Sequence, residues 1–382
     1  MLFVLVECSK ISSNGFIPAW RESLNTVKIE DIAKMANVSK SAVSLAMNGK
    51  PGIGKETRAR ILQIAKEHGY AARTPKAEKG RAPGNTIRFI ACTQAGIVPE
   101  HFSQQPFFME LIQYIEEKCR KRGLSLLFNT LHPDELERRI GELEQEHASA
   151  GILLLGTNLG GDQVRAIAAQ QRRLVVLDTC FDAIEANFVV MNNKLGAHQA
   201  AGQLLADGHT RIGIVQSDER IANFSARQEG FLQALAAAGL DCAEEDRFTL
   251  SPTIVAAQEP FIAALRTRRE PLPTALFCEC DYIAISAIKS LAALGLRVPH
   301  DVSVIGFDNI HESVVITPEL TTVHVEKEAM AELAVAKLID LMAHGPGVTT
   351  KIVVDTRLVV RASCSAPAAA LPAGGSGTVS AH

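Results

Sequence analysis

No apolar run among the 382 residues reaches the roughly 18 that a membrane-crossing helix needs. The opening stretch Met1–Cys8 is apolar, but it has no basic region before it and no clear small-residue cleavage site after it, so it does not read as a secretory signal. A cytoplasmic protein without membrane partners is expected. Aromatic residues are scarce at 5%, against a hydrophobic content of 47% that can build a sizeable core. The eight cysteines, at positions 8, 92, 119, 180, 242, 278, 280 and 364, are scattered, several of them in apolar strand-like runs. That is the usage of buried thiols in a reducing compartment. Cys278 and Cys280 form the one close pair, and no second His/Cys pair follows at zinc spacing, so no metal is expected. Catalytic signatures are missing too. Neither G-x-S-x-G nor H-E-x-x-H occurs, and the glycines at Gly156 and Gly161 lack the spacing of a dinucleotide loop. Gly49 to Lys55 fits G-x-x-x-x-G-K, but Glu56 stands where Ser or Thr would hold Mg²⁺, and the stretch follows a helix instead of a buried strand. No enzyme and no cofactor is expected.

What is present is concentrated in residues 27–70. Ile29, Ile32, Ala33 and Ala36 keep helical spacing over a short run. Asn37 and Val38 break it, Ser39 supplies an N-cap, and a second short helix is expected over 40–48. That helix would bury Val43, Ala46 and Met47 and expose Lys40, Ser41 and Ser44. A turn at Gly49, Pro51 and Gly52 leads to a third helix over about 55–68, stopped by Gly69. Two short helices joined tightly, with a third closing a small core, form a helix-turn-helix plan. Such a core is too small for a large pocket, but it can present one helix to a DNA major groove. Charge agrees with that use. Residues 27–84 hold 12 Lys/Arg against 5 Asp/Glu, a balance of +7 within a net −3, so the remaining chain carries −10.

Residues 71–86 are rich in Ala, Pro, Gly and basic side chains and read as a linker. From Ile87 onward apolar runs alternate with longer helical stretches. Strands are expected over 87–92, 125–128, 151–155 and 174–177, and helices over 108–122, 133–147 and 162–171. A second set follows, with helices over 193–207, 226–238 and 281–294 and strands over 211–216, 275–278 and 303–307. This is βαβ alternation, hence two doubly wound parallel sheets with a cleft between them. Residues 320–325 and a helix over 326–344 are expected to cross back and complete the first subdomain. The first subdomain then comprises about 87–191 and 321–345, and the second about 192–320 and 346–364, with 351–360 as a final strand. Residues 1–26 stand apart as an N-terminal extension, and 365–382, rich in Ala, Pro, Gly and Ser, as a disordered tail.

The series D-I-A-x-x-A-x-V-S-x-x-x-V-S at Asp31–Ser44, followed by Asn48, Thr57-Arg58 and Gly69-Tyr70, resembles the DNA-binding domain of the lac repressor family. The resemblance continues through Gln105–Phe108, Met191–Ala197, Gly208–Ile212, Ser225–Phe231, Asp301–Asn309 and Pro318–Val323, which look like that family's effector domain of periplasmic-binding-protein type. It implies a homodimeric (or higher) ligand-responsive repressor acting on double-stranded operator DNA, with a small-molecule effector, most simply a sugar or sugar derivative. A stand-alone sugar-binding receptor is the other reading, and the N-terminal helical module opposes it.

For DNA, Lys40, Ser41 and Leu45 are placed at base edges. Leu45 cannot hydrogen-bond and would read a thymine methyl. Ser39, Ser44 and Asn48 fall nearer phosphates, and the small Ala42 permits close approach. For the effector, Asp308 ends a strand over the cleft, where the resemblance implies it accepts ligand hydrogen bonds. Arg227 opens a helix, and its fork could take two ligand oxygens. Phe107 or Phe108 could stack on a ring, with Asp178 and Asn192 as further candidates. Cys280 departs from the family pattern, in which Asn is frequent at that position. The linker departs as well: residues 71–86 contain no Leu, and Lys79 falls where the family's hinge helix carries the Leu that wedges into the minor groove. An operator bound with little central kink is therefore expected.

Overall fold

The computed structural model describes residues 29–47, 52–68, 85–93, 97–98 and 105–367. The expected N-terminal extension, most of the linker with Lys79, nearly all of the tail and Asn48 lie outside them. The chain divides into two compact units, Met1–Lys79 and Gly80–His382.

In the first unit, α1 (Ile29–Met35), α2 (Lys40–Met47) and α3 (Lys55–Glu67) close a core of Ile32, Ala33, Ala36, Val43, Ala46 and Ile61. Asn37 makes the tight turn at φ +49°, a left-handed conformation that Asn tolerates. Ser39 Oγ accepts from the Ala42 amide at 3.2 Å and caps α2. Arg60 donates to the Ala36 carbonyl at 2.9 Å and Arg58 to the Ala46 carbonyl at 3.4 Å, so two carbonyls left over at helix ends are satisfied by α3.

The second unit holds two six-stranded sheets. The first lobe is built on β1 (Thr86–Cys92), β2 (Ser125–Leu131), β3 (Gly151–Leu155), β4 (Leu174–Leu177), β5 (Asn187–Met191) and β11 (Lys351–Val354), in the order β11-β5-β4-β3-β1-β2. Every pairing in it is parallel. The second lobe has β6 (Ile212–Ser217), β7 (Arg247–Leu250), β8 (Ala275–Cys278), β9 (Ser303–Asp308), β10 (Thr321–His324) and β12 (Arg357–Val359), in the order β12-β10-β9-β8-β6-β7. Only the β10–β12 pair is antiparallel. The central strands are buried along their whole length, as parallel strands covered on both faces must be. Helices α4 (Pro106–Lys121), α5 (Leu136–Glu146) and α6 (Gly161–Gln170) follow β1, β2 and β3, while α7 (Asn193–Ala206), α8 (Ala222–Ala237), α9 (Glu259–Thr267) and α10 (Asp281–Ala293) belong to the second half. The long α11 (Lys327–His344) packs on α4 and over β3, β4 and β5. Among the described residues no helix is long and apolar enough to cross a membrane.

Two expectations are corrected. Residues 321–324 do not complete the first subdomain; β10 pairs with β9 in the second lobe. Its buried threonines find partners there: Thr322 Oγ1 donates to Asp281 Oδ1 at 2.5 Å, and Thr321 Oγ1 accepts from the Arg361 amide at 2.9 Å. The expected strand over 351–360 is two strands that part at Asp355 and Thr356, β11 joining the first sheet and β12 the second. The chain therefore crosses between lobes three times, after β5, after β10 and after β11. Strands β5 and β7 and helix α9 were not expected.

Helices α7 and α8 approach so closely that a Cβ on Gly230 would lie 2.3 Å from the Lys194 carbonyl oxygen. Backbone cannot yield there as a flexible side chain would. Gly230→Ala is expected to lose roughly 1–3 kcal/mol in urea unfolding. Gly202→Ala, in the same helix pair with nothing within 4 Å of its Cβ, should not. Equal losses in both would mean that the close approach is not what Gly230 serves.

Candidate functional sites: an exposed helix face and an interlobe cleft

In the first unit, α2 turns Val43 and Ala46 inward and leaves Ser39, Lys40, Ser41 and Ser44 exposed. Ala42 and Leu45 are half-buried. Lys40 Nζ lies 2.5 Å from Glu30 Oε1 on α1. The pair is exposed, so it contributes little to stability. Its effect is to hold the ammonium beside the start of α2. Glu30 was not foreseen as part of this face, because the partner lies ten residues earlier on another helix. Ser39 uses its hydroxyl oxygen for the cap, which assigns it to holding the helix start more than to a ligand.

In the second unit, a narrow cleft opens between the carboxyl ends of the two sheets, the usual place for a ligand in open α/β sheets. Its lining includes Phe107, Phe108, Asp178, Arg227 and Asp308 from the expected set. Pro106 starts α4, so Phe107 and Phe108 sit in its first turn, edge to face at 5.3 Å. Arg227 stands in the second turn of α8, which starts at Ala222 instead of 226. Its guanidinium is 3% exposed and lies 3.7 Å from the ring centre of Phe307. Nε donates to Asn193 Oδ1 at 2.9 Å, Nη1 donates to the Glu279 carbonyl at 2.6 Å, and Nη2 lies 3.0 Å from Asp308 Oδ1. A Cβ on Gly196 would come within 2.6 Å of the Phe307 ring, so that glycine admits the plate on which Arg227 rests.

The carboxylates are held in unusual backbone conformations. Asp178, just past β4, has φ +64°, and Asp308, at the end of β9, has φ +111°. Such conformations cost of order 1–3 kcal/mol each and gather at functional sites. Thr157 donates to Asp178 Oδ2. Asn223, from the other lobe, donates to the Asp178 carbonyl at 2.9 Å and to Oδ1 at 3.1 Å. Asn193 then donates to Asn223 Oδ1 at 3.0 Å. A continuous polar chain thus runs Asp178–Asn223–Asn193–Arg227–Asp308 across the lobes.

Two acceptors facing the cleft have accepting capacity to spare among the described residues: Asp308 Oδ1, which is ion-paired to Arg227 Nη2 at 3.0 Å, and Gln105 Oε1, which has no hydrogen-bond partner there. Unmatched buried acceptors are costly, and both are positioned to receive donors from a bound molecule. Burial raises the Asp308 carboxyl above the usual range against the pull of Arg227 and Lys327. Burial likewise pushes Asp178 up to about 7, opposed by the Thr157 hydrogen bond and by Arg227.

Asn192 is corrected. Its Oδ1 accepts from the Leu195 amide at 3.2 Å, capping α7, and its amide donates to Asp355 Oδ1 at 2.9 Å. It ties two of the interlobe crossings together and does not line the cleft. The next residue, Asn193, holds Arg227 instead. Cys280 does line the cleft, but burial keeps its thiol neutral, so it adds an apolar patch. Asn223, Thr157, Gln105 and Tyr282 were missed. Asn223 lies in the first turn of α8, whose N-cap, Ile221, has no capping side chain to announce the helix.

Comparison with known proteins agrees with both halves. Residues 28–72 match the model for bacterial regulatory proteins of the lacI family, and residues 201–364 match a periplasmic binding protein-like domain. The HTH-type transcriptional repressor PurR of Mannheimia succiniciproducens is 31% identical over 338 residues, covering 88% of this chain and 98% of that protein. PurR of Haemophilus influenzae is 32% identical over 349 residues, with the same coverage. Among solved structures, the lac repressor dimer bound to operator and the anti-inducer ONPF aligns with a TM-score of 0.66 at 19% identity, over 90% of this chain and all of that one. The transcriptional regulator CelR–cellobiose complex aligns at 0.63 and 24% identity, over 88% and 99%. These two structures speak for the fold.

The raised carboxyl of Asp178 has a consequence for stability. Its folded pKa of about 7 exceeds the value of about 3.9 for an unfolded Asp, so the folded state binds the proton more tightly. The resulting stabilisation is complete at low pH and is lost as pH rises through about 4 to 7. The wild-type melting temperature minus that of Asp178→Asn should therefore fall as pH is raised over that window and level off above it. A difference that does not vary with pH would mean that Asp178 does not titrate there.

Proposed function

Since the chain belongs to the lacI family of bacterial regulatory proteins, and is thus a DNA-binding transcriptional repressor and not an enzyme, we propose that α2 enters the operator major groove and that the interlobe cleft takes the effector. The observation that carries the effector reading is the Arg227–Asp308 ion pair, buried at the cleft with Asp308 Oδ1 able to accept a further donor. A ligand bearing an N–H or O–H would use that remaining capacity.

Repressors of this family act as dimers. On this chain the groove lined by Met109, Ile112, Ile310 and Val314, with Met109 and Val314 exposed, suits a second copy. We place the protein in the cytoplasm, where operator DNA is found.

The resemblance pointed to a sugar or sugar derivative. The lining favours a flat heterocycle of nucleobase type. Phe107, Phe108, Phe224, Tyr282, Ile97, Ile221, Pro252 and Cys280 form most of it. Asp178, Asn223, Asn193 and Arg227 are already engaged with one another. A sugar carries hydroxyls around its whole rim, and each one buried without a partner is penalised. A nucleobase offers two faces to aromatic rings and few edge donors.

A thermal-shift panel of free nucleobases, sugars and sugar phosphates, followed by operator binding with each hit, tests this. The expected hit is a nucleobase that alters operator affinity, with the response lost in Asp308→Asn while operator binding persists. Lys40→Ala should keep the effector response and weaken or relax operator recognition by about 1–3 kcal/mol. A response confined to sugars would overturn the effector class. An unchanged response in Asp308→Asn would remove that carboxylate from the site.

A further inference from the structure

Lys327 is the first residue of α11, immediately after the second crossing between lobes, and it is 1% exposed. A buried ammonium loses its hydration, and at a helix N-terminus it also faces the positive end of the helix dipole. Three groups from two lobes compensate. The Asp308 carbonyl of β9 accepts from Nζ at 3.1 Å. Glu110 Oε2 of α4 lies 3.1 Å away. The Phe107 ring, also on α4, has its centre 5.3 Å from Nζ, within cation–π range. Phe107 and Asp308 face the cleft from opposite lobes, whereas Lys327 is not among the residues lining it. It holds both walls from behind.

We propose that Lys327 is a positioning residue of the effector site. Its ammonium fixes the Asp308 wall of one lobe against the Phe107 wall of the other, so that contact of an effector with Asp308 and closure of the lobes become one event. This rests on reading the cleft as the effector site. Asp308, itself at positive φ, offers its carbonyl to Lys327 while the residue lines the cleft. Glu110 extends the linkage, since it also lines the groove beside Met109 and Val314.

One amide reports directly on this hold. The Phe107 N–H lies in the first turn of α4, where no carbonyl of its own helix can accept it, and it donates across the lobes to the Tyr282 hydroxyl at 3.2 Å. Hydrogen exchange on the full chain, with no ligand added, should find it protected in the wild type. Lys327→Met should reduce that protection by about tenfold or more, while strand amides such as Leu153 and Ile305 keep theirs. Lys327→Arg should restore much of it, and Glu110→Gln should lower it in the same direction. Unchanged Phe107 protection in both Lys327→Met and Glu110→Gln overturns the proposal, as does a Phe107 amide unprotected in the wild type. If Lys327→Met loses protection throughout, Glu110→Gln decides alone. Because no effector enters the measurement, an intact wall linkage in a protein that responds to no nucleobase or sugar would count against the cleft reading and not against the hold.

Discussion

A guanidinium buried at the junction of two lobes needs a partner for each of its edges and a surface for its face. Arg227 has them: Asn193, the Glu279 carbonyl and Asp308 around the rim, and Phe307 beneath. Much of the second lobe is arranged to make this possible. Asn193 opens α7, Gly196 on the same helix leaves room for Phe307, and Gly230 lets α8 come close enough to α7 for Arg227 to reach both. Removing one partner would leave a charge in the interior, which is far more damaging than the pair is stabilising. The cluster therefore explains specificity of arrangement better than it explains stability.

The same cluster connects the lobes. Asp178 and Asp308 end strands of different sheets, both with positive φ, and the asparagines between them close a polar chain that runs through Arg227. Lys327 adds a second link on the other side of Asp308. The three crossing segments are tied to one another by polar contacts, Asn192–Asp355 and Glu326–Arg357. A ligand that bridged Asp308 Oδ1 and Gln105 Oε1, which come from different lobes, would favour the arrangement in which they lie together, as a shift in conformational population requires.

The parts most legible in the sequence were those governed by local pattern. Continuous apolar runs announced β1, β3, β4, β8 and β9, and the cap-and-turn signals from Asn37 to Gly52 announced the three-helix head. Legibility failed where tertiary partners decide. Nothing local assigns Thr321 and Thr322 to the second sheet; their hydroxyls do so by finding Arg361 and Asp281. Helix α8 begins without a capping side chain, and Asn223 was lost with its first turn. Asn192 and Asn193 are chemically identical neighbours, and only the helix geometry determines that one caps while the other reaches Arg227. Lys327 reads as a surface lysine until the fold encloses it.

The central claim is that the flat fork of Arg227, and not its charge alone, holds the effector wall in place. Arg227→Lys keeps the charge but loses the stacking on Phe307 and the three-way donation. The decisive measurement is the change in operator affinity produced by the compound that alters it in the wild type, followed in this variant by equilibrium binding. The account predicts that Arg227→Lys binds operator as the wild type does and no longer responds to that compound. A variant that responds with wild-type concentration dependence would contradict it.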